Sequence, residues 1–334
     1  MLFAVIRPWW LAVARLTGLL AGVGLATSRL GLVAHELVGH GGFAIACGGD
    51  ITEARLFWFA GGWIQYKLAE PSNGAVLAIS LGGIIVETVI GLALWFALAR
   101  KDTLARRVCR GIGAALMIHA GWYLATGTWH GYGDGVLIHR ELGSLRYPVA
   151  IATGLIACGI AFVGARLVLG ALAGSLPGTR GARLAGMAIA VLLAGALQVG
   201  LAVGEVRLRG DNTYGAIMKP ERERLIAREL AEWQREQARL GAQISDAERE
   251  ARARALAEQH RELPFAPVLA VLLAAAVAFG AARSGAAASR PRDRSPISLA
   301  GAATGEVSTR LVAITVAVAA GSIATVIALD AVFH

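Results

Sequence analysis

Charge is scarce in this chain. Only 16% of its 334 residues are Asp, Glu, Lys or Arg, against 56% that are hydrophobic. Ordinary soluble domains carry about 25% charged residues, so that class is excluded. Cysteine is scarcer still: Cys47, Cys109 and Cys158 lie in or beside apolar segments and form no CxxC pair. That excludes a disulfide framework and a cysteine zinc site. No short apolar core with a small-residue cleavage site stands at the start, so no cleavable signal peptide is expected. Lysine occurs three times, so the net charge of +9 is an arginine charge. The arginines sit at the ends of apolar runs and in one mixed-charge loop, not on one soluble face. Nucleic acid is therefore not an expected partner; anionic lipid headgroups are.

Long apolar runs fill the space that charge leaves, and mean hydropathy is +0.59. Runs near 9–47, 74–99, 108–128, 148–172, 184–204, 265–282 and 311–332 approach or exceed the span of a bilayer. The expected fold class is an all-α polytopic membrane protein of about seven transmembrane helices. Residues 9–47 are read as one tilted or kinked span, with two short helices breaking near Gly22–Ser28 as the rival. Arginine and alanine richness points to a GC-rich bacterial source, hence a bacterial plasma (inner) membrane. The connections 100–110 (Arg100, Lys101, Arg106, Arg107, Arg110) and 283–310 (Arg283, Arg290, Arg292, Arg294, Arg310) are basic, and Arg180 and Arg183 mark the connection between them. Seven spans put these on one side, cytoplasmic by the positive-inside rule.

Two segments are not spans. Residues 50–67 are rich in strand formers around Ala60-Gly61-Gly62, which predicts a small β-hairpin after the first span. Residues 205–263 predict a soluble helical hairpin, with Pro220 opening one helix, Gly241 stopping it and Ser245-Asp246-Ala247-Glu248 capping the next. Its simple role is a solvated spacer, its sharper one a gate for a partner or substrate. The organisation expected is a core at 1–138, spans 4 and 5 at 139–204, the helical hairpin at 205–263 and the last spans at 264–334.

The chemistry lies in HELVGH, residues 35 to 40. Ionisable groups inside an apolar helix are expensive and mark function by default; the plain alternative is a polar cluster that holds helices together. H-E-x-x-H binds zinc through histidines four residues apart, whereas His35 and His40 are five apart. In a regular helix a five-residue step turns the two rings about 140° away from each other. They converge on one metal only if a π-bulge absorbs the extra residue, and Gly39 offers a permissive backbone for it. Two imidazoles and a carboxylate then leave a fourth position for water, the pattern of a catalytic zinc site. Glu36 is free to act as base.

HELVGHGGFAIACGGDI resembles the site-2 protease family of intramembrane zinc metalloproteases. LGGIIVETVIG resembles that family's Gly-Pro-x-x-Asn helix, with Gly83 on the glycine, Ile84 for proline and Glu87 for asparagine. Asp134-Gly135 in HGYGDGVLI resembles its Asp-Gly motif. The resemblance covers about residues 30–138. It implies a membrane-embedded zinc metalloendopeptidase, with His35, His40 and Asp134 on Zn2+ and Glu36 catalytic. It also implies membrane proteins or peptides as substrates. His130, four residues before Asp134, is the alternative ligand. Glu87 and His119 are candidates for ligation, for the surroundings of the ligands or for helix packing. Gly83 and Glu87, with Phe57 and Phe59 on the hairpin, are candidates for substrate contact; the hairpin aromatics are equally suited to resting on the bilayer. Trp122, Tyr123 and Trp129 read as interfacial anchors, and His139 and Glu141 as surface residues. His260 and His334 show no role. The inserted residue and the altered second motif leave two alternatives: a pseudoprotease that binds membrane proteins without cutting them, and a transporter or proton-coupled channel along Glu87, His119, Glu36 and His35.

Overall fold

The computed structural model describes residues 2–96, 104–287 and 307–333. Arg100, Lys101, Arg290, Arg292, Arg294 and His334 lie outside the described residues. The first span is a single helical rod. Helix α1 (Leu2–Val33) runs through Gly22–Ser28 without a break, passes into a π-helical turn (Ala34–Gly41) and ends as α2 (Gly42–Ala46). Its 39 apolar-rich residues from Pro8 to Ala46 are about 58 Å long at 1.5 Å per residue, well beyond a hydrocarbon core of about 30 Å. The glycines that suggested a break serve packing instead. A Cβ on Gly22 would stand 2.9 Å from the Thr315 hydroxyl.

Strands β1 (Gly49–Leu56) and β2 (Gly62–Leu68) form the hairpin, antiparallel, with a bulge between Ile51 and Glu53. Helices α3 (Asn73–Phe96) and α4 (Leu104–His130) follow. A 3₁₀ turn (Gly133–Gly135) and α5 (Val136–Glu141) lead into α6 (Arg146–Leu167), α7 (Leu169–Ala173) and α8 (Arg180–Arg209). The helical hairpin comprises α9 (Asn212–Ile217), α10 (Glu221–Arg239) and α11 (Asp246–Gln259). Helices α12 (Phe265–Ala287) and α13 (Thr309–Phe333) close the chain. Ser245 caps α11 with the reciprocal Glu248 bond, while Pro220 is the N-cap of α10 rather than part of its first turn. The segment from 205 begins inside a span, because α8 runs on to Arg209.

Six helices among the described residues are long and apolar enough to cross a membrane. The seventh expected, 108–128, is α4. It is 27 residues long, about 40 Å, but not apolar enough, because it carries His119, Thr126, Thr128 and His130 beside Arg106, Arg107 and Arg110. Thr126 and Thr128 are buried where α4 packs between α3 and α6, while His119 is exposed to a cavity and bonds to Glu87.

The N-terminal half of α1 is wedged against α7, α8 and the start of α13, with Val13, Leu16 and Leu19 meeting Ala173, Leu176, Met187, Ala190 and Val307. Trp9 Nε1 donates to the Ala182 carbonyl (3.3 Å), and Asp330 at the far end of α13 reaches Leu56 of β1. So α1, α8 and α13 run in the same direction, and the β-hairpin, the Asp134 turn and α9–α11 share one end of the bundle.

The π-turn crosses α3 with almost no space between backbones. A Cβ on Gly39 would lie 2.5 Å from Gly83 Cα and 2.6 Å from Gly83 N. Neither backbone can yield without moving a whole helix. A Gly39→Ala substitution is expected to destabilise the protein by about 1–3 kcal/mol, read as a lowered thermal midpoint in detergent. A Gly200→Ala change on α8, where added Cβ meets nothing, serves as the control and stays near wild type.

Candidate metal centre

The π-turn resolves the five-residue spacing. The Gly42 N–H bonds to the Leu37 carbonyl, an i→i+5 bond that takes up the additional residue. The rings of His35 and His40 then converge, with centroids 4.9 Å apart and Nε2 atoms 3.2 Å apart. Asp134 on the 3₁₀ turn closes the triangle: Oδ2 is 3.0 Å from His35 Nε2 and Oδ1 is 3.2 Å from His40 Nε2. Both histidines are buried. Glycines let the turn approach, because a Cβ on Gly135 would run into the backbone of Gly127 and Thr128.

The surroundings fix how the donors present themselves. His40 Nδ1–H donates to the Ile79 carbonyl at 2.7 Å, so in the neutral ring Nε2 carries a lone pair. His35 Nδ1 lies 3.5 Å from Glu87 Oε2, which favours the same tautomer. Two nitrogen lone pairs and a buried carboxylate therefore face one another. Asp134 Oδ2 makes no aligned hydrogen bond despite its burial. Such an arrangement is balanced either by protons on the inner ring nitrogens, donated to Asp134, or by a cation held among the three groups. The donor atoms all lie within 4.8 Å of one another. Ligand atoms about 2.0–2.1 Å from a tetrahedral zinc would stand about 3.3 Å apart, close to the spacings seen. Residues and spacing thus fit a metal ion.

Glu87 does not join the ligands. Its carboxylate accepts from His119 Nδ1 at 2.9 and 3.1 Å, and its Oε2 stands 3.5 Å from His35 Nδ1 without a hydrogen bond. A carboxylate behind a ligating histidine orients the ring and raises its basicity. His130 is outside the triangle and donates from Nδ1 to Glu262 at 3.0 Å. Burial would raise the Glu262 carboxyl, but His130 more than offsets this and holds it below the usual carboxylate range. Gly83 lies under the His35 ring, where a Cβ would come within 2.5 Å of Nε2; its lack of a side chain makes room for the ligand.

Glu36 is buried and lines a cavity of about 1010 Å³ together with His35, Glu87, His119, Tyr123 and Tyr214. Phe59 is on that wall. Phe57 is fully buried behind it, against Tyr214 at 5.0 Å between rings. Of the three aromatics read as anchors, Trp122 lines the cavity and Trp129 is buried, stacked on Phe265. Tyr123 belongs to the centre, 5.9 Å from the His35 ring and stacked on His119. Its place four residues after His119, on the same helix face, was the available signal. His139 is not a surface residue: it is buried, and its Nδ1–H donates to the carbonyls of Thr128 and Trp129 at the end of α4. Glu141 is exposed. His260 ties α11 to α10 through Glu229, at 2.9 Å.

No protein-family model, curated protein or solved structure matches this chain. The geometry therefore carries the functional argument.

Replacing Glu87 by Ala should leave the ligand triangle in place but free the His35 ring. The expected result is metal bound about 10–100-fold more weakly, measured by competition with a chromogenic chelator. Affinity equal to wild type would show that Glu87 serves only helix packing.

Proposed function

We propose that this chain is an integral membrane zinc metalloendopeptidase that hydrolyses peptide bonds of membrane-associated substrates. The observation that carries the reading is the convergence of His35, His40 and Asp134 beside a cavity that also holds Glu36. The local likeness of residues 30–138 to site-2 proteases supports it. His35, His40 and Asp134 would hold the metal. When bound there, zinc supplies a water acidified to a pKa near about 7 and polarises a carbonyl oxygen.

The remaining work falls to the protein. Glu36 lines the cavity beside His35, so its carboxylate is free to take a proton from the attacking water. It later returns that proton to the leaving amine nitrogen. Glu87 and the Ile79 carbonyl hold the two imidazoles in the tautomer that presents Nε2. The hairpin offers extended backbone next to Glu36: a Cβ on Gly62 of β2 would touch Glu36 Cγ at 3.2 Å. Proteases cut extended chains, and strand addition is a common way to hold one. The apolar part of the cavity wall on α1, with Leu19, Leu20, Val23 and Leu32, suits a substrate drawn from lipid.

The test is metal analysis joined to hydrolysis of an apolar, fluorogenic helical peptide in detergent. About one zinc per chain is expected in the wild type and in Glu36→Gln, and none in His40→Ala. Glu36→Gln should slow hydrolysis by about 10²–10⁴-fold. Zinc without Glu36-dependent cleavage would favour a protein that binds membrane segments and does not cut them. A wild type that binds no divalent metal would overturn the site.

A further inference from the structure

The turn between the two strands, Phe57–Gly61, is held by side chains from α1 and α8, and α13 holds the strand residue before it. Glu205 near the end of α8 uses both carboxylate oxygens. Oε1 accepts the Trp58 N–H at 2.6 Å, and Oε2 accepts those of Phe59 at 2.6 Å and Ala60 at 3.0 Å. Arg29 on α1 takes the opposite polarity, donating to the carbonyls of Phe57 at 2.7 Å and Phe59 at 2.9 Å. Arg209, one turn after Glu205, bonds to Glu205 at 3.1 Å and to Asp330 of α13 at 2.6 Å. Its guanidinium stands 5.2 Å from the Phe57 ring and 5.0 Å from the Trp58 ring. Asp330 Oδ1 accepts the Leu56 N–H at 2.8 Å. Glu205, Arg29 and Asp330 are all buried.

Three successive N–H groups in an apolar setting need acceptors, and leaving them bare is costly. A carboxylate satisfies all three through charge-assisted bonds. The turn so held is a wall of the catalytic cavity: Phe59, Ala60, Gly61 and Gly62 line it with His35 and Glu36. Tyr214 of α9 closes over Gly61, where a Cβ would meet its hydroxyl at 2.8 Å.

We propose that Glu205 is a positioning residue: it fixes the 57–61 turn against Glu36, with Arg29, Arg209 and Asp330 completing the clamp. Helices α8 and α13, beyond the stretch that resembles a protease, thereby become part of the active unit. The role assigned to Glu36 rests on the preceding reading; the fixing of the turn does not.

Hydrogen–deuterium exchange on the purified full-length protein in detergent decides it. In Glu205→Gln the amide side can accept through one oxygen only. Turn amides 58–60 should exchange about tenfold faster or more, with the β1–β2 ladder and α1 unchanged. Glu36-dependent hydrolysis should fall about tenfold through kcat, at unchanged zinc content. Turn exchange equal to wild type overturns the proposal. So does exchange that rises equally in the ladder and α1, which would mark a general stabiliser. A loosened turn with full hydrolysis removes the positioning role. If Glu205→Gln does not fold, Arg29→Lys carries the same test, with the same local rise expected and an unchanged turn overturning it. A wild type without zinc or Glu36-dependent cleavage overturns the earlier reading, while the exchange result still judges the clamp.

Discussion

Two imidazole lone pairs and a carboxylate, buried and pointed at one another, cannot rest without positive charge among them. That constraint organises this molecule. His35 and His40 face each other across 3.2 Å because a π-turn brings a five-residue step onto one side of the helix. Asp134 meets both from a separate turn. The protein holds the groups in this posture from behind. The Ile79 carbonyl takes the outer N–H of His40, and Glu87, itself bonded to His119, stands behind His35. Each partner removes a competing use for the ring nitrogen and leaves the inner one free for a cation.

Close backbone approach makes the posture possible. The π-turn at Gly39 lies against Gly82 and Gly83 of α3, and Gly135 lies against Gly127 of α4. Small residues where helices cross are the usual means of bringing membrane helices together. Here they also set the reach of the ligands, because the centre draws donors from two elements and its outer partners from two more. Distance between helices and distance between ligand atoms are one quantity.

The polar centre is matched by a second buried network at the hairpin. Arg29, Glu205, Arg209 and Asp330 tie a two-stranded sheet and its loop to three helices. An isolated hairpin is marginal in water, and this one borrows its order from the spans around it. Carboxylates near the ends of α8 and α13 are costly in an apolar helix and are offset by paired arginines and backbone donors.

Much of this was legible from residue order alone. Apolar run lengths gave the long helices, strand formers around two glycines gave the hairpin, and the Ser245–Glu248 pattern gave the start of α11. HELVGH with its extra residue indicated both the donors and the distortion they require, since helix periodicity is a local property. The run near 108–128 is α4, which falls short of the apolarity of the long apolar helices. Its apolar residues suggest an ordinary crossing, whereas His119 and Tyr123 carry it to the cavity beside His35. Tyr123 passed for an anchor and His139 for a surface group because sequence gives neither depth nor facing.

What the order of residues determined by itself is therefore the local part: which segments are helical, where one turn must widen, and which groups can bind a cation. The tertiary fold brings Asp134, which the resemblance implies, to the histidines and turns His130 to Glu262; it alone decided that Glu87 stands behind His35 instead of joining the triangle. It also decided that Glu205 and Asp330, 147 and 274 residues from their hairpin partners, hold the wall of the cavity. The reason is physical. Periodicity fixes angles within one helix, but coordination and clamping depend on distances between helices, which are set only when their side chains and glycines pack.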